Sequence, residues 1–189
     1  MTNQKKTNQA ILIWMDLEMT GLDPEQDQII EIASLATDEG LNIISNGPAL
    51  VIYCPKTRLD QMDQWCIKHH GASGLTDRCI NSKISMKEAE QLTLEWAKSL
   101  APTGVTPLCG NSIHQDRRFL AKLMPDLEAF FHYRNIDVTT LKELVRRWYP
   151  GLPKYKKQEA HLALDDIIES IGELRYYKQH VFIPEEDVC

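Results

Sequence analysis

The stretch AILIWMDLE, residues 10–18, runs from Ile, Leu and Trp straight into two carboxylates placed two residues apart. A short apolar run rich in Ile and Leu reads as a buried central strand over residues 10–17. Side chains two apart on a strand share a face, so Asp16 and Glu18 project together from the strand's C-terminal end. In open α/β sheets that end is where ligands bind. Carboxylates this close repel one another, and a hard divalent cation or protonation of one group relieves the repulsion.

Outward from this strand, the Gly, Pro and Asp of TGLDPEQDQ (20–28) break it. Residues 29–37, IIEIASLAT, predict a second strand, and Asp38-Glu39-Gly40 a turn into a third near 41–53. Tight connections among the three predict an antiparallel meander. Helical signals then take over. Ser85-Met86-Lys87-Glu88 is a capping box, and Ala89, Leu92, Trp96 and Leu100 are spaced to form one apolar face behind it. VTPLC (105–109) predicts a short strand, 113–124 a helix, 126–133 a helix, 135–138 a strand and 139–148 a helix. A last helix runs from about His161 to about Gln179. Strands followed by alternating helices and strands define a mixed α/β sheet.

Composition bounds what such a fold can do. With 189 residues, 43% apolar and 25% charged, the chain suits one soluble domain over 10–180, with a polar tail at 1–9 and a C-terminal tail at 181–189. No apolar run approaches the roughly 18–20 residues of a membrane span, and the polar N-terminus lacks signal-peptide architecture. Cysteines 54, 66, 79, 109 and 189 are odd in number and form no CxxC pair, which favours reduced thiols in the cytoplasm. The net charge of −6 argues against a grip on long nucleic acid, which needs a basic excess. A short nucleotide, or a phosphate bridged by a metal, remains within reach.

Two further segments carry chemistry. His161 and Asp165 are spaced i, i+4 and share a helix face, whereas Asp166 points about 100° away and reads as a capping or supporting residue. In Asn111-Ser112-Ile113-His114-Gln115-Asp116, Asn or Ser can cap the helix that follows, and Asp116 falls in its first turn. His69 and His70 end a helix before Gly71, where a cation complements the helix dipole.

A DxE on the first strand, an Asp at a helix start mid-chain and HxxxD on the last helix together resemble the DEDDh exonuclease family. WMDLEMTGLD, LCGNSIHQDRRFL, FFHYRNIDVTTLKELVRRWYP and HLALDDIIES resemble its branch that degrades very short RNA, over about residues 11–179. The resemblance implies a ribonuclease H-like fold: a mixed α/β sheet of about five strands, the first three antiparallel, flanked by helices. It implies 3′→5′ hydrolysis of short single-stranded RNA, especially dinucleotides, to nucleoside 5′-monophosphates. Asp16, Glu18, Asp116 and Asp165 would bind two divalent cations, Mg2+ or Mn2+, and His161 would be the general base. Leu22 would wedge against a base, with Trp65 and His70 on the other side and Ser112 on the 5′ phosphate. Tyr133, Arg134 and Thr139 would reach over from the partner in a homodimer.

Arg117, Arg118, Arg134, Lys154, Lys156 and Lys157 would form a small basic mouth, without affinity for long duplexes or membranes. Two positions depart from the family's usual pattern, His114 and Ile168, where relatives commonly carry a small and a charged residue respectively. His114 would perturb metal choice or pH dependence. The competing readings are a DEDDh exonuclease acting on longer RNA or single-stranded DNA, and a catalytically idle nucleotide-binding protein.

Overall fold

The computed structural model describes residues 10–156 and 163–184. The opening apolar run forms β1 (Leu12–Met19), IIEIASLAT forms β2 (Ile29–Thr37), and β3 follows as Ile43–Val51. β2 is buried along its whole length, β1 pairs antiparallel with it, and β3 completes the meander. The short strands β4 (Leu108–Gly110) and β5 (Asn135–Asp137) add parallel on the other side of β1, giving the order β3-β2-β1-β4-β5. β1 is therefore central, with a strand on each side and helices on each face, which is why its N-terminal two-thirds is apolar on both faces.

The helices are α1 (Lys56–Leu59), α2 (Gln64–Ala72), α3 (Leu75–Asn81), α4 (Met86–Leu100), α5 (His114–Leu123), α6 (Pro125–Glu128), α7 (Val138–Trp148) and α8 (Ala163–His180). Alternation along β1 sorts the core into layers. Ile13, Met15 and Leu17 pack with Phe119, Leu120, Leu127 and Phe130 on one face. Trp14 packs with Val138, Val145, Ala163, Ile167 and Ile171 on the other, beneath α7 and α8. Asp16 and Glu18 share the parity of Trp14, so they emerge on the face that α8 covers.

Several expectations are corrected. Between residues 54 and 84 the sequence predicts only a helix ending at His70, whereas the structure holds the three short helices α1 to α3, and α2 runs on through Gly71 to Ala72. The capping box forms, with Glu88 N donating to Ser85 Oγ at 3.2 Å. Of the expected apolar face of α4, Ala89 is buried and Trp96 and Leu100 pack against the core, but Leu92 is left 40% exposed, and Glu90, Thr93 and Ala97 are buried as well. Glu90 turns inward because its Oε1 accepts from Asp126 N (2.8 Å) and Leu127 N (3.3 Å) at the start of α6, with Lys87 2.9 Å from its other oxygen. The helix predicted at 126–133 stops at Glu128. Phe130 and Phe131 are adjacent yet both buried, and the Phe130 carbonyl accepts from Gly104 N while His132 N donates to the Thr106 carbonyl, bonds that run across rather than along a helix. Of the cysteines, 54, 66, 79 and 109 are free and buried, while Cys189 lies outside the described residues. Among the described residues no helix is long and apolar enough to cross a membrane.

Candidate active site

Asp16, Glu18 and Asp166 each offer a carboxylate oxygen within 4.8 Å of the other two. The residue that α8 brings to the DxE pair is thus Asp166, and Asp165 is not part of this group. The roll of α8 explains the correction. Ala163, Ile167, Ser170 and Ile171 face the sheet, and Asp166 follows Ala163 by three residues and precedes Ser170 by four. That line runs down the packed side of the helix, and Asp165 is rotated off it by about 100°. Ser170 Oγ donates to the Asp166 carbonyl at 2.8 Å, bracing the same turn.

Burial and the negative charges of Asp166, Glu31 and Asp116 push Glu18 up to about 8 from its ordinary value of 4.5. Asp116, in the first turn of α5, is buried and accepts from Leu17 N at 3.0 Å. Its burial raises it to about 7, with Asp137 adding to the shift. An all-carboxylate donor set with no thiol among it, held at this electrostatic cost, fits a hard divalent cation. His161, expected as general base, lies outside the described residues, as does Lys157.

A cavity of about 400 Å³ opens beside Glu18 between Leu22, Trp65, Cys66 and His70. Leu22 is 69% and Trp65 59% exposed, far outside the range of core packing. The loop carrying Leu22 is tied at Asp27, which accepts from Thr20 Oγ1 (2.9 Å) and Asp23 N (3.0 Å). A Cβ at Gly21 would lie 2.4 Å from that carboxylate, so any larger residue there would displace the Asp27 side chain that ties the loop. Asp63 caps α2 by accepting from Cys66 N at 2.7 Å. His70, buried, donates through Nε2 to the Met19 carbonyl (2.9 Å), leaving Nδ1 3.8 Å from Glu18 Oε2. Burial holds it below the usual histidine value, so it is neutral at neutral pH.

Ser112 adopts a left-handed backbone (φ 51°), a strained conformation for a residue with a Cβ. Its N–H donates to Asp137 Oδ1 and Thr139 Oγ1, both at 2.9 Å, and its Oγ is 3.1 Å from Thr139 Oγ1. Thr139 in turn donates to Asn111 Oδ1 (3.2 Å), and Asn111 Nδ2 donates to Ser170 Oγ (2.6 Å). Thr139 bonds Ser112 of its own chain. One expectation changes here. Asn111 caps no helix, since its amide links the Ser112 turn to α8 one turn from Asp166. Sequence reasoning missed Asn111 as a site residue, because its partner Ser170 is 59 residues away.

Tyr133 and Arg134 precede β5, with Tyr133 74% exposed and the Arg134 guanidinium 5.3 Å from its ring centroid. The basic mouth is smaller than expected. Arg117 is spent on Glu128 (2.8 Å), the His132 carbonyl (2.9 Å) and Asn135 (2.7 Å), while Arg118 bonds Gln115 (2.7 Å). Lys154 and Lys156 are exposed. His114 Nδ1 stands 3.4 Å from Asp137 Oδ2.

Residues 13–174 match the RNase T family of exonucleases. An oligoribonuclease of Marinobacter nauticus is 62% identical over 172 residues, covering 90% of this chain and 96% of its own. That of Hydrogenovibrio crunogenus is 59% identical over 175 residues, covering 92% and 95%. Exonuclease I of Methylocaldum szegediense aligns with a TM-score of 0.69 over 91% of this chain at 17% identity. This chain spans only 41% of that one, and the likeness concerns the fold alone. Sheet order, flanking helices and the carboxylate cluster define a ribonuclease H-like exonuclease. Within that class the chain belongs to the oligoribonuclease family, and it is a 3′→5′ exoribonuclease, a phosphodiester hydrolase.

Proposed function

We propose that the protein degrades very short single-stranded RNA, dinucleotides above all, to nucleoside 5′-monophosphates in the cytoplasm, as a homodimer with two divalent cations at each site. The observation that carries this reading is the adjacency of the Asp16, Glu18 and Asp166 carboxylates to a cavity of about 400 Å³ walled by exposed Leu22 and Trp65. Such a cavity accepts a terminal nucleoside, and a chain of net charge −6 offers a longer RNA no extended basic track.

Asp16, Glu18 and Asp166, with Asp116 beside them, would hold the cations. Bound Mg2+ or Mn2+ would supply Lewis-acid stabilisation of the attacking and leaving oxygens of the phosphodiester. The protein's own groups do the rest. Leu22 and Trp65 bind the 3′ base between apolar surfaces. Neutral His70 lines the same slot without competing for the carboxylates. His161, through a neutral ring nitrogen, takes the proton of the attacking water. Ser112 donates its hydroxyl to the 5′ phosphate, and Tyr133 and Arg134 of the second copy close over that end with a charge-assisted hydrogen bond.

The test is kcat/KM for 5′-phosphorylated RNAs of two, three, five and seven residues. The dimer should be the best substrate. A seven-mer cleaved as well as the dimer would replace this reading with that of an exonuclease for longer RNA or single-stranded DNA.

A further inference from the structure

Trp65 carries a large ring into solvent at the rim of the cavity beside Glu18. A lone exposed indole samples several rotamers, and an incoming ligand must select one of them at an entropic cost. Here the ring has a companion. The His69 imidazole lies over it, with centroids 3.9 Å apart and planes within 25° of parallel. His69 sits one turn further along α2, and its Nδ1 is 2.7 Å from the Trp65 carbonyl oxygen. A carbonyl oxygen only accepts, so Nδ1 donates, and the imidazole is held at one edge while its face covers the indole. The Asp63 cap on Cys66 N fixes the turn from which Trp65 projects.

The cavity is lined by Trp65, Cys66 and His70 but not by His69. The imidazole therefore covers one face of the indole from outside the cavity lining, while Trp65 and Leu22 both line the cavity. A charge complementing the helix dipole would need only proximity to the last turn, whereas ring overlap is a separate geometric feature.

We propose that His69 is a positioning residue that pins Trp65 as a preformed stacking platform for the nucleobase. The proposal rests on the reading of this cavity as the nucleoside site. Every base has a π face, so the contribution is the same in kind for purine and pyrimidine ends. His69 touches no reacting atom, and its loss shows in binding rather than in turnover.

The experiment measures KM and kcat on 5′-phosphorylated purine and pyrimidine dinucleotides for the wild type, His69→Ala, His69→Phe, Trp65→Ala and the double variant Trp65→Ala/His69→Ala. His69→Ala should raise KM about threefold to tenfold, with kcat within about twofold. His69→Phe, which restores a ring without the hydrogen bond, should recover most of the affinity. In the Trp65→Ala background His69→Ala should change nothing further, because the two residues act as a unit. An unchanged KM in His69→Ala alongside a raised KM in Trp65→Ala would overturn the proposal and leave the cavity reading intact. Equal effects of His69→Ala in both backgrounds would overturn it too, as the mark of a general effect on α2. An unchanged KM in Trp65→Ala would overturn the cavity reading and this proposal with it.

Discussion

The backbone N–H of Leu17 donates to Asp116 Oδ1 across 3.0 Å, joining residues 99 apart in the chain. Leu17 lies between Asp16 and Glu18, so the strand segment that projects both carboxylates is itself tied to a third. The bond gives Asp116 two separable roles, one structural through its acceptor oxygen and one electrostatic through its charge.

Asp116→Asn keeps an acceptor for Leu17 N and removes the buried charge, whereas Asp116→Ala leaves the N–H unsatisfied. A buried unpaired donor costs about 1–3 kcal/mol. The Ala variant should therefore unfold at lower temperature than the Asn variant, and both should lose at least about a hundredfold in kcat. Equal melting temperatures would show that the Leu17 bond contributes nothing to stability.

Asp166→Ala should abolish turnover, while Asp165→Ala should retain it within a few-fold. The reason is the roll of α8, which carries Asp166 to Asp16 and Glu18. Comparable losses in the two variants, with folding confirmed by circular dichroism, would contradict that assignment.

Metal removal and pH are linked through Glu18. Its pKa rises from 4.5 to about 8 on folding, and that of Asp116 from 3.8 to about 7. Between the two limits the native state keeps protons that the unfolded chain releases, so stability is fullest below about 4 and is lost as pH rises toward 8. In EDTA the melting temperature should fall across this window. Added Mg2+ should raise it more at pH 8 than at pH 5, because cation and proton compete for the same carboxylates. A melting temperature in chelator that climbs with pH would refute the linkage.

His161→Ala should lower kcat about 10²–10⁴-fold while leaving KM largely intact, as expected on losing a general base. Near-wild-type kcat at neutral pH would assign the proton to another group.

Mixing Tyr133→Ala subunits with Asp16→Ala subunits tests the dimer. If Tyr133 completes the neighbour's site, a heterodimer contains one intact site, and partial activity returns. No recovery after demonstrated subunit exchange would place Tyr133 in its own chain's site or outside both.

Local sequence carried much of this structure. The apolar run into Asp16 and Glu18 determined a central strand with two carboxylates on one face, because strand alternation is a property of the backbone. IIEIASLAT determined β2 over 29–37, and Ser85 with Glu88 determined the start of α4. Each of these readings depends on neighbours within a few residues.

What tertiary structure decided is orientation about an axis and partners far along the chain. A helix can roll by one residue, about 100°, at no cost to its own hydrogen bonds. Only the packing of Ala163, Ile167 and Ile171 with Trp14 chooses Asp166 over Asp165 for the position beside Asp16 and Glu18. The same holds for α4, where Glu90 turned inward to meet Asp126 and Leu127 and left Leu92 in solvent. Leu22 and Trp65 read as well for a core as for a cavity wall until the loop at Asp27 and the cap at Asp63 set where they stand. Periodicity states which side chains share a face, and the space left by the rest of the fold decides what that face meets.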